Sequence, residues 1–193
     1  MHRPIEITAG FYLLLAAAYF FLDGETVLLT LPAVFFHELA HYIALRLCGG
    51  SVGKIRLTAF GAERYVENAT RLSYGREILC AAAGPLCNAA FALVLSLPAG
   101  ENRLFSLGAG IHAALAIFNL LPFSASDGGR ILRAAFCLWL GIDRGERLAF
   151  SVGNLCGGAL LAVSLWVMLE TGGNGFLLLG TVGLLIPARK RYL

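Results

Sequence analysis

Charge is what this chain has least of. Only 14 % of its 193 residues are Asp, Glu, Lys or Arg, where soluble domains carry about 25 %. With 58 % hydrophobic residues and a mean hydropathy of +0.75, that shortage excludes an ordinary water-soluble domain and points to an integral membrane protein. No CxxC pair occurs among the cysteines at 48, 80, 87, 137 and 156. The five are odd in number and lie in or beside apolar runs, so they read as packing residues and exclude a disulfide framework or thiolate metal site. No internal repeat is present, which removes the support an inverted-repeat transporter would need. No AxA-like exit follows the first apolar run, so a cleavable leader is not expected. The net charge of +3 is accounted for by topology, and no nucleic-acid partner is expected.

What is abundant is apolar sequence, in six segments: Ile5 to Leu22, Val27 to Leu47, Ile78 to Leu97, Leu104 to Leu121, Leu148 to Leu169 and Phe176 to Pro187. A span needs roughly 20 residues, so the last is short and must tilt, thin the bilayer or borrow from its flanking turn. With the N-terminus inside, 14 of the 15 basic residues fall in cytoplasmic stretches and only Arg103 falls outside. Short loops rich in Lys and Arg stay on the cytoplasmic side, which favours six spans with both N- and C-termini cytoplasmic. The length leaves no room for a separate soluble domain. The expectation is an all-α polytopic membrane protein of about six transmembrane helices, forming a single domain over residues 1–193.

Two connections carry pattern of their own. In GGSVGKIRLTAFGAERYVENA, the runs around Val52, Ile55, Leu57 and Tyr65-Val66 flank Phe60-Gly61-Ala62 and read as a small β hairpin at the membrane surface or as an ordinary amphipathic loop. Asp127 to Leu140 is too short and too polar at its start to span. It reads as a turn and a short interfacial helix, with Arg130 and Arg133 snorkelling toward headgroups.

The exception to apolarity is PAVFFHELAHYIAL, from Pro32 to Leu45. His37 and His41 are four residues apart, so a helix puts both imidazoles on one face, able to share one Zn²⁺, with Glu38 beside them as general base. Ionisable groups near mid-membrane are costly unless partnered. The plainer alternative is a polar cluster that glues helices together. Catalytic zinc takes three protein ligands, and of the remaining candidates Asp127 stands out. It follows Asn119-Leu-Leu-Pro122, where proline ends regular helix, and precedes Gly128-Gly129, which permits a tight turn. A helix N-cap is an equal reading of Asp127.

Three elements in this order, HELAH at 37–41, Gly84-Pro85-Leu86-Cys87-Asn88, and Asn119-x-x-Pro122 followed by Asp127-Gly128, resemble the site-2 protease family of intramembrane zinc metalloproteases, and within it the small sporulation-type members. The resemblance implies that His37, His41 and Asp127 bind a single zinc ion and that Glu38 activates water. It implies that Asn119 lies against the substrate or the developing oxyanion. Asn88 would be a cleft or helix-packing residue, and Gly50 to Val66 would be the family's membrane-associated β region, whose edge accepts an extended substrate. The proline that many relatives carry shortly before the aspartate is replaced within Phe123-Ser-Ala-Ser126, which leaves the loop shape open. No PDZ or CBS domain is expected. His112, seven residues before Asn119, reads as a packing histidine or a residue touching the site.

The expected activity is hydrolysis of a peptide bond in or near the membrane segment of a tethered protein in a bacterial cytoplasmic membrane. By the resemblance, a sigma-factor precursor is a candidate substrate and a small membrane protein a candidate regulator. Two other classes use the same residues: a metal-binding transporter, and a catalytically silent scaffold that has no need of the complete set.

Overall fold

The structure, a computed structural model, describes residues 5–7, 23–50, 54–58, 61–65, 72–98, 100, 102–123, 126–170 and 181. In chain order these form β1 (Ile5–Ile7), α1 (Gly24–Leu47), β2 (Lys54–Thr58), β3 (Gly61–Tyr65), α2 (Tyr74–Ser96), α3 (Arg103–Leu120), α4 (Asp127–Leu140) and α5 (Ile142–Glu170). The chain divides into two compact units, Met1–Leu72 with Leu79–Phe118, and Ser73–Ile78 with Asn119–Leu193.

Four helices, α1, α2, α3 and α5, are long and apolar enough to cross a membrane, and at most 28 % of the apolar window of any of them is buried within the protein. Leu47, Leu93, Leu155 and Trp166 stand outward at 62 % exposure or more. A surface this apolar is covered by lipid, not water. The chain is an integral membrane protein with several transmembrane helices.

The six-span, all-α expectation is corrected here. Among the described residues there are four candidate spans. Of Phe176 to Pro187 only Thr181 is among the described residues, and residues 8–22 of the first expected span lie outside them. The first expected span begins as strand, because Ile5–Ile7 is β1, paired in parallel with Ile55, Arg56 and Leu57 of β2. The isolated membrane-surface hairpin is corrected with it. β2 and β3 pair antiparallel, Lys54 opposite Tyr65 and Thr58 opposite Gly61, as part of a three-stranded sheet of order β1-β2-β3. Apolar runs with β-branched residues fit strands and helices alike, so periodicity alone does not separate them.

In the first unit, Asp23 opens α1. Its extended backbone and its carboxylate, which accepts from the Thr26 amide at 3.2 Å, make it the N-cap, satisfying one of the donors that a helix start leaves unpaired. Arg103 at the start of α3 pairs with Glu25 at 3.3 Å and with Asp23 at 3.9 Å. These groups are largely exposed, so the pairs contribute little.

In the second unit, α4 turns into α5 through Gly141, whose φ of 78° lies in the region that favours glycine. One turn later Gly145 lets the two backbones touch: a Cβ there would meet the Cys137 amide nitrogen at 2.5 Å. The expected snorkelling of Arg133 is also corrected. Its guanidinium bonds the Glu77 carboxylate at 2.7 Å and that of Glu146 at 3.3 Å, tying the start of α2 and the start of α5 to α4. Its side chain is 21 % exposed, so this network is better shielded than the pairs around Arg103.

The hydrogen bond from Thr26 holds the Asp23 carboxyl below its ordinary value of 3.8, with Arg103 adding to the effect. A group whose folded pKa is depressed stabilises above its unfolded pKa and loses that contribution as pH falls through the folded value. Asp23→Asn keeps the cap, since asparagine caps equally well. The variant should therefore match the wild type in thermal midpoint near neutral pH, and lose less of it between pH 5 and pH 3 in detergent-solubilised melts.

Candidate metal centre

The first unit builds a histidine pair from the sequence upward. Spacing of four puts His37 and His41 on one face of α1, and both are buried, at 6 % and 1 % exposure. Their Nε2 atoms are 3.1 Å apart and the ring planes are 80° to each other. A stripe of residues spaced by four on α2, Cys80, Gly84 and Asn88, supplies what surrounds them, and all three are buried. The Cys80 carbonyl accepts from His41 Nδ1 at 2.7 Å. That bond places the His41 proton on Nδ1 and leaves the Nε2 lone pair for a ligand, the tautomer a metal requires. Asn88, fully buried, lies with Nδ2 3.1 Å from His37 Nδ1 and Oδ1 3.1 Å from His112 Nδ1. His112 in turn stacks on Phe91, with ring centroids 5.0 Å apart.

Gly84 makes the space. A Cβ at this position would overlap His41 Nε2 and come within 2.7 Å of His37 Nε2 and Cε1. The two nitrogens thus converge on a point that only glycine leaves open, and the next residue, Pro85, withholds the backbone donor that would otherwise close on Ala81. Two imidazole nitrogens turned toward one cradle, with the opposite nitrogens anchored, suit Zn²⁺ or a similar borderline cation.

In the second unit, the open reading of Asp127 as a helix cap is decided in favour of its neighbour. Ser126 is the N-cap of α4, accepting from the Gly129 amide at 3.2 Å and donating to the carbonyls of Leu121 and Phe123. Asp127 is the first residue of the helix proper, buried at 8 % exposure, with Arg130 at 3.4 Å. Gly128 is required there because a Cβ would collide with the Leu120 carbonyl, where α3 ends. Asn119 lies in the last turn of α3 and Glu38 next to His37 on α1, both half-buried.

The sequence reading singled out His37 and His41, which the structure brings together. It left Asn88 as a cleft or helix-packing residue and His112 as a packing histidine or one touching the site, and it assigned no role to Gly84 or the Cys80 carbonyl. The four-residue spacing of Cys80, Gly84 and Asn88 was a signal within reach, matching the spacing of the histidines opposite.

No protein-family model matches the chain, and no curated protein matches it. Among solved structures it is similar to a site-2 protease from Methanocaldococcus jannaschii, at 24 % identity and a TM-score of 0.71, over 98 % of this chain and 92 % of that one. At that identity the likeness is one of fold.

A methyl group on Gly84 tests the cradle without altering any ligand. Gly84→Ala should weaken Zn²⁺ or Co²⁺ binding by roughly a hundredfold, the upper end of what losing a neighbouring shell costs, with helicity by circular dichroism retained. Gly110→Ala, on α3 with nothing within 4 Å of its Cβ position, should bind as the wild type does.

Proposed function

We propose that the chain is an intramembrane zinc endopeptidase of the site-2 protease type, hydrolysing a peptide bond in or near the membrane segment of a tethered protein. The observation that carries this reading is the convergence of His37 and His41 Nε2 on the Gly84 cradle inside a membrane helix. The fold likeness supports it. On this reading Asp127 is the third ligand. It is buried, as both histidines are, and a carboxylate completes a two-histidine catalytic zinc set.

Zinc held by these residues supplies Lewis acidity toward a peptide carbonyl and acidifies water. Glu38 takes the proton of the attacking water and passes it to the departing amine. Asn119 donates from its amide to the oxygen on which negative charge builds. Asn88 and the Cys80 carbonyl hold the imidazoles in place throughout. A substrate helix hides its carbonyls in its own hydrogen bonds, so it reaches these groups only where it is unwound. The wider apolar surface keeps the protein in a bilayer, here a bacterial cytoplasmic membrane. Arg46, Arg76, Arg144 and Arg147 mark the cytoplasmic ends of α1, α2 and α5, and Arg103 marks the opposite end of α3. We extend the proposal to the small sporulation-type members of the family, which makes a membrane-tethered sigma-factor precursor the substrate to try first and a small membrane protein the regulator to look for.

Glu38→Gln is the decisive variant. Co-expressed with a tethered precursor, it should lose cleavage by at least about a hundredfold, as removal of a general base does, while zinc content measured on the purified protein stays at the wild-type level. Equal cleavage by both proteins would sink the protease reading. Cation passage in proteoliposomes, lost in the variant, would replace it with transport.

A further inference from the structure

α4 has 14 residues, about 21 Å of helix, and is too short to cross a bilayer. Its last turn and the first residue of α5 are nevertheless apolar and exposed: Leu138, Trp139, Leu140 and Ile142, with Trp139 at 82 %. Further along α5, Leu148 to Leu169 is a run of 22 residues without a charge, about 33 Å of helix and so one thickness of hydrocarbon. The stretch from Ile142 to Arg147 therefore falls at headgroup level, and the exposed apolar corner before it is continuous with the lipid-facing surface of α5. An exposed tryptophan suits that depth, with its ring in apolar surroundings and its N–H at the wet edge.

A hollow of about 340 Å³ opens on this part of α5, lined by Ile142, Asp143, Glu146 and Arg147. Glu146 is held by Arg133 of α4 at 3.3 Å, which fixes that wall. Asp143 and Arg147 are one helical turn apart, in the order that favours pairing along a helix, yet among the described residues neither makes an ion pair. A carboxylate and a guanidinium that do not close on each other fit a ligand that itself carries both signs, a phosphate for Arg147 and a cation for Asp143. Across the same two turns Arg144 and Arg147 are balanced by Asp143 and Glu146, so the patch has no net charge with which to gather acidic lipid. A primary ammonium donates three hydrogen bonds where a trimethylated one donates none, so Asp143 distinguishes the two.

We propose that the hollow at the start of α5 binds a zwitterionic phospholipid headgroup with a primary ammonium, of the phosphatidylethanolamine class, its phosphate on Arg147 and its ammonium on Asp143, with Trp139 seated in the same layer. The site stands apart from the protease reading and does not depend on it. Its consequence is an anchor at the C-terminal end of α4, the helix whose first residue is Asp127.

Trp139 and Trp166 are the two tryptophans of the chain, so Trp166→Phe leaves Trp139 as the reporter, three residues before Ile142. The test places this protein in phosphatidylcholine vesicles in which a small fraction of the lipid is brominated phosphatidylethanolamine, phosphatidylcholine or phosphatidylglycerol, and reads the quenching of Trp139. Brominated phosphatidylethanolamine should associate about fivefold more strongly than either of the others, the scale of one charged side chain against a headgroup layer. In the same background Asp143→Asn should bring it down to the phosphatidylcholine level, and Arg147→Gln should remove the excess as well. Arg144→Gln, whose residue does not line the hollow, should keep it, with circular dichroism confirming the helicity of each variant. Equal quenching by the three lipids, or an excess that survives Asp143→Asn, would overturn the proposal. So would a preference for phosphatidylglycerol, which would make the corner a surface for acidic lipid.

Discussion

Imidazoles on a helix whose other faces meet lipid have no water to bond, so each of their nitrogens must find its partner within the protein. Much of the arrangement in the first unit follows from that requirement at His37 and His41. The two Nδ1 atoms are held by groups on α2, one by the Cys80 carbonyl and the other by the Asn88 carboxamide. Both anchors lie on the stripe that contains Gly84, and without the missing Cβ at Gly84 the stripe could not come this close. Close approach and polar satisfaction are therefore one constraint. A larger residue at 84 would push α2 off α1 and leave two buried imidazoles short of partners, which in hydrocarbon costs several kcal/mol per unsatisfied group.

The second unit meets the same demand for a carboxylate in a different way. Asp127 occupies the first turn of α4, where the unpaired amides and the helix dipole favour negative charge, and Arg130 lies within the same turn. Capping by Ser126, whose hydroxyl also closes onto the Leu121 and Phe123 carbonyls, relieves Asp127 of the structural duty a first-turn aspartate often takes. Gly128 permits the tight passage from the end of α3. Its own helix does not need this buried carboxylate as a cap, which distinguishes it from the exposed, capping Asp23.

The transmembrane surface is less specific. Long apolar side chains on α1, α2, α3 and α5 face outward, and van der Waals contact with lipid asks only for apolarity. Among the described residues, buried polar side chains are few. The Arg133 network with Glu77 and Glu146 ties together the polar ends of three helices, where partial burial makes ion pairs matter more than at the surface.

Much of this could be read from residues alone. The shortage of charge determined that the protein belongs in a membrane, because no water-soluble surface can be built from it. The spacing of His37 and His41 determined that both imidazoles share a helix face, since 3.6 residues per turn admits nothing else. The bounds of α4 were legible in the polar start and short length of its segment. Other features were decided only by tertiary structure. The Ile5–Ile7 segment pairs as a strand with β2, where apolarity alone had suggested a span, because strand pairing depends on a partner distant in sequence. Arg133 turns inward to two carboxylates, one of them 56 residues away, a choice invisible to helix periodicity. Asn88 and His112 look like packing residues in isolation, and it is the 3.1 Å approaches on either side of one carboxamide that tie them to His37. Local spacing fixes which side chains share a face of one helix, but which groups on another helix satisfy them is settled only when the chain folds and buries both.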